Sequence, residues 1–400
     1  MKREVYLDHA ATTPLDPRVK EVMLEYLEDK FANPSSFHSQ GKEVKDAMQD
    51  ARFQIAGVLS CRPDEILFTS GGTESDNLAI LGYARKNKSA GKHIITSKIE
   101  HHAVLEAVIY LEKKEGFEVT YLEPDRDGLV SAQQVEQALR KDTILVSIMY
   151  ANNEIGTILP IAEIGNMIQK WRRDHNRPEL VFHTDACQAA GYLDLNVEKL
   201  HVDMLTLNGS KIYGPKGVGL LYARRGLKLQ PLQFGGAQER GLRPGTENTA
   251  GIIGLAKALE LAQKSAKKEV ERLTSLRDSL ISGIQKRVSK TRLNGHATQR
   301  LANNVNISFM DIEGEALLLY LDAEGIAAST GSACTSASLD PSHVILALGL
   351  PYEVAHGSIR FSLGKITTQE DIDYVLQALP PLVEKLRSIS PVSVDEKYFN

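Results

Sequence analysis

Lys211 and Asp185 each stand where an apolar, strand-like run gives way to a turn. Lys211 lies in Asn208-Gly209-Ser210-Lys211-Ile212-Tyr213-Gly214-Pro215-Lys216-Gly217, and the Gly/Pro-rich turn holds it rather than leaving it to wave in solvent. Asp185 closes Val181-Phe182-His183-Thr184-Asp185, 26 residues earlier. A carboxylate at the carboxyl end of a parallel strand sits where ligands bind in open α/β sheets. A helix N-cap also accounts for it and, taken alone, is the favoured reading. Together the two residues meet the needs of pyridoxal phosphate (PLP) chemistry, which takes a lysine for the Schiff base and an acid for the pyridinium nitrogen. Lys216 competes with Lys211 for the first role and ranks below it.

Three further segments carry reactive or ligand-holding residue types. In Phe68-Thr69-Ser70-Gly71-Gly72-Thr73-Glu74-Ser75-Asp76-Asn77 a strand ends, two glycines follow and a helix pattern begins. Backbone N–H groups there could seat a phosphate, or Thr73 could simply cap the helix. In Ala328-Ser329-Thr330-Gly331-Ser332-Ala333-Cys334-Thr335-Ser336-Ala337-Ser338, small polar residues surround a lone cysteine. Free cysteine usually goes inside, so an exposed thiol here is expected to be a reactive one. Cys61 and Cys187 have sufficient structural readings. In Gly357-Ser358-Ile359-Arg360-Phe361-Ser362 a charge lies within an apolar strand. Either a clamp for a substrate carboxylate or a buried salt bridge explains it. Metal binding is not expected: adjacent His101 and His102 would face different ways on a helix, and no Cys/His cluster has zinc spacing.

The elements that must position these residues alternate. Strands are expected at Glu65–Ser70, His93–Thr96, Glu118–Leu122, Ile144–Met149, Leu180–Thr184, Met204–Leu207 and Gly217–Tyr222, with amphipathic stretches such as His102–Lys114, Ser131–Arg140 and Ile161–Asp174 among them. This alternation implies an α/β fold with a mainly parallel, doubly covered sheet. From about Asn248 the apolar residues Leu255, Leu259, Ala262, Ala266, Val270, Leu273, Leu280 and Ile284 recur at helical spacing, which predicts one long helix bridging two domains. A strand (Asn304–Phe309), a helix (Glu313–Asp322), a strand (Ser358–Ser362) and a final helix (Gln369–Arg387) follow.

The chain has 400 residues, which suggests two domains. Its 47 basic and 51 acidic residues give a net charge of −4, so no broad electrostatic grip on nucleic acid or membrane is expected. No apolar run approaches the roughly 20 residues that span a bilayer, and three sparse cysteines fit a reducing compartment. A cytoplasmic address is the expectation.

These segments, in this order, resemble the cysteine desulfurases, in the class V branch of fold-type I PLP enzymes. The resemblance runs from Tyr6-Leu7-Asp8-His9-Ala10-Ala11-Thr12-Thr13-Pro14 to Arg360, and Gly331-Ser332-Ala333-Cys334-Thr335-Ser336 looks like the longer cysteine loop of the group I enzymes. It implies a PLP-dependent transferase fold with a large cofactor domain over about 16–260. A smaller α+β domain would comprise about 1–15 and 261–400 and carry the cysteine loop at about 328–338. It implies that Lys211 carries the cofactor, Asp185 pairs with the pyridine nitrogen and Gln188 hydrogen-bonds the ring hydroxyl. His101 would stack on the ring and move protons. Gly72, Thr73, Asn208 and Ser210 would hold the phosphate, and Thr246 would reach the phosphate in the partner of a homodimer. Asn153 and Arg360 would bind the substrate carboxylate.

The implied reaction converts L-cysteine to L-alanine: Lys211 removes the Cα proton, and the Cys334 thiolate, with His101 as candidate base, takes the sulfur as a persulfide for an acceptor protein. A cluster scaffold or a thiolation enzyme would be that acceptor. Three departures from the family pattern stand out. Asn208-Gly209-Ser210-Lys211 replaces Ser-x-His-Lys, Pro244 replaces a serine, and 388–400 lacks the scaffold-contacting tail of housekeeping relatives. Selenocysteine lyase and class V aminotransferase are the nearest alternatives, and a non-catalytic sulfur-relay scaffold is the rival from outside enzymology.

Overall fold

The computed structural model describes residues 3–330, 341–391 and 393–398. A two-residue strand, β1 (Val5–Tyr6), opens the chain. Seven strands then build the main sheet: β2 (Ile66–Thr69), β3 (His93–Ser97), β4 (Glu118–Leu122), β5 (Thr143–Ser147), β6 (Val181–Asp185), β7 (Met204–Asn208) and β8 (Gly219–Ala223). Their order is β2-β8-β7-β6-β5-β3-β4, and β8 alone runs against its neighbours. The reason is local. Only residues 209–218 join β7 to β8, too few for the crossover a parallel pair needs. That short antiparallel return is the segment holding Lys211.

Both faces of the sheet are covered. Along β2, Ile66 and Phe68 enter one apolar cluster and Leu67 the other; β8 repeats this with Leu220 and Tyr222 against Leu221. Alternate side chains of a strand point to opposite faces, so each face has its own core. The mainly parallel, doubly covered α/β sheet expected from the sequence is thus present. Two helices that the sequence reading did not single out, Pro17–Glu28 and Ser39–Leu59, pack on the long helix Thr249–Arg287.

That long helix joins two cores. Leu255 and Leu259 pack with the main sheet, whereas Leu273, Leu280 and Ile284 pack with a second cluster. The second cluster is built on β9 (Thr291–Leu293), β10 (Asn304–Phe309), β11 (Ile326–Ala327) and β12 (Ser358–Ser362). The three strands β12-β10-β9 form an antiparallel sheet, and β1 pairs with β11. Val5 and Leu7 are buried there, so the N-terminal strand packs with the second core before the chain crosses to the first. No helix among the described residues is long and apolar enough to cross a membrane.

Candidate active site

The carboxyl ends of β2, β6 and β7 converge. Asp185 lies in register with Thr206, Asn208 with Gly219, and Thr69 with Gly219. Gly219 permits the convergence, because a Cβ there would meet the Gly71 backbone and the Leu207 carbonyl at 2.7 Å. A cavity of about 360 Å³ opens at these ends. Its walls bring together Gly72, Thr73, His101, Asn153, Asp185, Gln188, Asn208, Lys211 and Arg360.

Lys211 ends a single 3-10 turn after β7, and its Nζ donates to the carbonyls of Ala10 (3.0 Å) and Ala11 (2.6 Å). Asn208 accepts from the N–H and the hydroxyl of Ser210, both at 3.1 Å, which fixes that turn. Thr13 adds a second clasp: its N–H donates to the Ser210 carbonyl at 2.9 Å, and its hydroxyl accepts from Tyr213 N at 2.8 Å. Residues 10–13 therefore seat the lysine, a role invisible in their small, featureless side chains.

Asp185 is 7% exposed. Its Oδ1 accepts the Cys187 N–H at 2.8 Å, the capping role, while the residue also lines the cavity. The two readings of this aspartate are compatible. Gln188 Nε2 donates to the Ala10 carbonyl at 3.0 Å. His101 caps the helix His102–Glu115, its Nδ1 accepting from Ala103 N at 3.1 Å. A neutral ring that accepts at Nδ1 carries its proton on Nε2.

The glycine turn runs into the helix Gly72–Asn77, which continues through a π-turn, Leu78–Gly82, into Tyr83–Asn87. A Cβ on Gly72 would stand 2.9 Å from the Cys187 sulfur, so the backbone itself forms the cavity wall there. An adjoining cavity of about 430 Å³ is lined by Ser70, Gly71, Thr73, Asn208, Ser210 and Lys216, among others. Lys216 thus lies on the side of the phosphate-seat residues, away from the main cavity. Thr246 is exposed and lines neither cavity.

Arg360 forms the buried salt bridge and also lines the cavity. It is 3% exposed, its Nη2 pairs with Asp8 Oδ1 at 2.9 Å and its Nη1 donates to the Asn153 carbonyl at 3.0 Å, yet it reaches the cavity. Its backbone also exchanges hydrogen bonds with Ser329, at 2.7 and 3.1 Å. Cys334 lies outside the described residues. Neither described cysteine offers a thiolate: burial pushes Cys61 up to about 12, and burial, then Asp185, pushes the cavity-lining Cys187 well up.

Sequence reasoning missed the acids around this cavity. Asp76 lines it, and Glu100 is buried beside His101, its Oε1 accepting from the Ser97 hydroxyl (2.5 Å) and Met149 N (3.0 Å). Burial raises Glu100 to about 8. No group of three or more metal-ligating side chains occurs among the described residues.

The family model for class-V aminotransferases matches residues 5–375. A cysteine desulfurase IscS of Dictyoglomus turgidum is 55% identical over 397 residues, covering 99% of each chain. The chain belongs to the cysteine desulfurases, a branch of the class-V aminotransferases. A solved NifS-like protein covers 96% of this desulfurase and all of its own chain, with 38% identity and a TM-score of 0.89. A second solved relative, SspA in complex with cysteine, is 40% identical, covers 91% of this chain and 99% of its own, and has a TM-score of 0.77.

Members of this family depend on PLP, and the residues present fit that group. The cavity offers an amine (Lys211), a carboxyl (Asp185), an imidazole (His101) and a bare-backbone wall at Gly72, with an annex lined by Ser70, Thr73, Asn208 and Ser210 alongside. The desulfurase is a PLP enzyme.

Proposed function

We propose that this desulfurase converts L-cysteine to L-alanine, with Lys211, Asp185 and Arg360 as the fixed points of the site and Cys334 as the sulfur acceptor. The single observation that carries the reading is the convergence of Lys211, Asp185, His101 and Arg360 on one cavity at the sheet's carboxyl edge. Bound PLP supplies an electron sink for the bond-breaking at Cα. Asp185, at the cavity wall, would pair with the ring nitrogen of the bound cofactor. Arg360, held by Asp8 and Asn153, turns toward the carboxylate of the amino acid. Lys211, seated on residues 10–11, removes and returns the Cα proton. His101, its Nδ1 engaged by Ala103 N, would stack on a bound ring and move protons through Nε2.

The sulfur step needs a thiolate. Cys187, the described cysteine at the cavity, is held as a thiol by burial and the Asp185 charge, which supports assigning the step to Cys334. Ser329, five residues before Cys334, is paired through its backbone with Arg360. This ties the start of the cysteine segment to the strand that binds the substrate carboxylate. Thr246, exposed at its loop, is suited to reach a phosphate held by a second copy, so a homodimer is part of the proposal. The persulfide would pass to an acceptor protein of iron–sulfur cluster assembly or of thiolation, at a cytoplasmic address. No overall basic charge supports direct work on nucleic acid.

The test is an absorbance spectrum of the purified protein before and after L-cysteine, with alanine and reductant-released sulfide assayed in the same tube. A shifting cofactor band with alanine and sulfide in equal amounts is expected. A cofactor-loaded protein that ignores cysteine but turns over selenocysteine or an amino donor would replace this reading with one of the two PLP alternatives.

A further inference from the structure

Asp76 is a buried acid that the reaction does not use. It stands four residues beyond Gly72, is 1% exposed and lines the cofactor cavity. The Thr206 hydroxyl favours its charged form, but Oδ1 has no hydrogen-bond partner among the described residues. The nearest base is His183, whose Nε2 lies 3.6 Å from that Oδ1. His183 is itself fully buried and already engaged, its Nδ1 with the Ser147 hydroxyl at 2.9 Å and its Nε2 with that of Thr206 at 3.1 Å.

The charges around Asp76 are the wrong ones for an ion pair. Asp185 and Glu100 are both acids, Cys187 is a buried thiol, and no arginine or lysine forms a salt bridge with Asp76 among the described residues. Lys211 faces the same cavity from β7, with its Nζ on the carbonyls of Ala10 and Ala11. An ionised carboxylate with one oxygen unpaired and no counter-charge would be strongly disfavoured there. Two acids facing one site cannot both ionise freely; one keeps a proton and the other carries the charge. Asp185 accepts the Cys187 N–H, whereas no donor meets Asp76 Oδ1 among the described residues.

We infer that Asp76 is a positioning residue of the cofactor site, a neutral carboxyl that holds the wall shared with His183 and Thr206 while leaving Asp185 as the single negative charge. The inference rests on the proposal that Asp185 faces the ring nitrogen. Burial, then the Asp185 charge, pushes the Asp76 carboxyl well above the usual range, and burial holds His183 down at about 4, so a reversed assignment, with the proton on the imidazole, is disfavoured as well.

The experiment compares the full-length wild type with Asp76→Asn and Asp76→Ala at neutral pH. Infrared difference spectra of the cofactor-free proteins are expected to show a protonated-carboxyl band that Asp76→Asn removes. PLP affinity of Asp76→Asn should stay within about threefold of wild type, and the pH titration of the bound cofactor's absorbance should be unmoved. Asp76→Ala should weaken PLP about tenfold, the equivalent of one lost buried hydrogen-bonding group. Loss of a carboxylate band instead, a displaced cofactor titration in Asp76→Asn, or wild-type PLP affinity in Asp76→Ala would each overturn the inference. If the wild type itself bound no PLP, the proposed cofactor site would fail, yet the infrared result would still decide the state of Asp76.

Discussion

Arg360 Nη2 meets Asp8 Oδ1 at 2.9 Å, so a residue near the start of the chain sets the angle of a guanidinium more than 350 positions away. Two of its donors are committed, to Asp8 and to the Asn153 carbonyl, and its Nε has no partner among the described residues. A fork held this way presents a fixed edge to a carboxylate, which a lysine cannot imitate. Arg360→Lys should therefore raise KM for cysteine by about 10- to 100-fold, corresponding to 1.4–2.8 kcal/mol, with PLP content unchanged. Steady-state alanine formation together with cofactor absorbance measures both. An unchanged KM would remove Arg360 from substrate binding.

Cys334 and Cys187 should separate cleanly. Cys334→Ser is expected to keep the cofactor band and its response to cysteine while reducing alanine formation to under about 1% of wild type, because a hydroxyl is a far weaker nucleophile than a thiolate. Cys187→Ser should retain most activity, since burial already holds that thiol protonated. Alanine assays on the two variants decide the assignment. Full activity in Cys334→Ser would end the proposed sulfur route.

Much of this was legible in the sequence because the chemistry sits at strand ends. Lys211, Asp185 and the Gly71-Gly72 turn each follow an apolar run, and the cavity forms where β2, β6 and β7 stop. What was not legible depends on contacts between distant segments. Ala10 and Ala11 seat Lys211 through carbonyls, which carry no sequence signature. Asp8 pairs with Arg360 across the whole chain, and its aspartate side chain alone says nothing of that. Nothing in the sequence marks Asp76 or Glu100; only burial makes them unusual. The antiparallel course of β8 was likewise hidden, since an apolar run does not state its direction.

The choice between the two lysines is open to a direct test. Lys211→Ala should lose the cofactor's covalent attachment, so borohydride reduction would leave no phosphopyridoxyl mass on the peptide spanning 204–223. Lys216→Ala should keep that attachment, because Lys216 lines the annex beside Ser210 rather than the main cavity. Its loss of a nearby positive charge should weaken PLP by no more than a few-fold, as expected for an exposed charge. Peptide mass analysis after reduction checks both variants. A modified peptide in Lys211→Ala would mean the cofactor sits on another amine.

Glu100 gives the protein a pH-dependent weakness. Burial raises its carboxyl from the ordinary 4.5 to about 8, so the folded protein keeps a proton that the unfolded chain has already released across that window. The folded state binds more protons there, and stability accordingly falls as pH rises. The contribution is complete below about 4.5, is lost progressively, and levels off above about 8. Glu100→Gln cannot lose that proton, and its amide oxygen can still accept from Ser97 and Met149 as Oε1 does. Relative to wild type, the variant should therefore gain stability between those limits, reaching a few kcal/mol at the upper one. Denaturation midpoints of the two cofactor-free proteins, measured across the window, check the slope. A difference that stayed flat with pH would show that Glu100 is ionised in the fold at neutral pH, and that the hydrogen bonds from Ser97 and Met149 suffice to hold its charge.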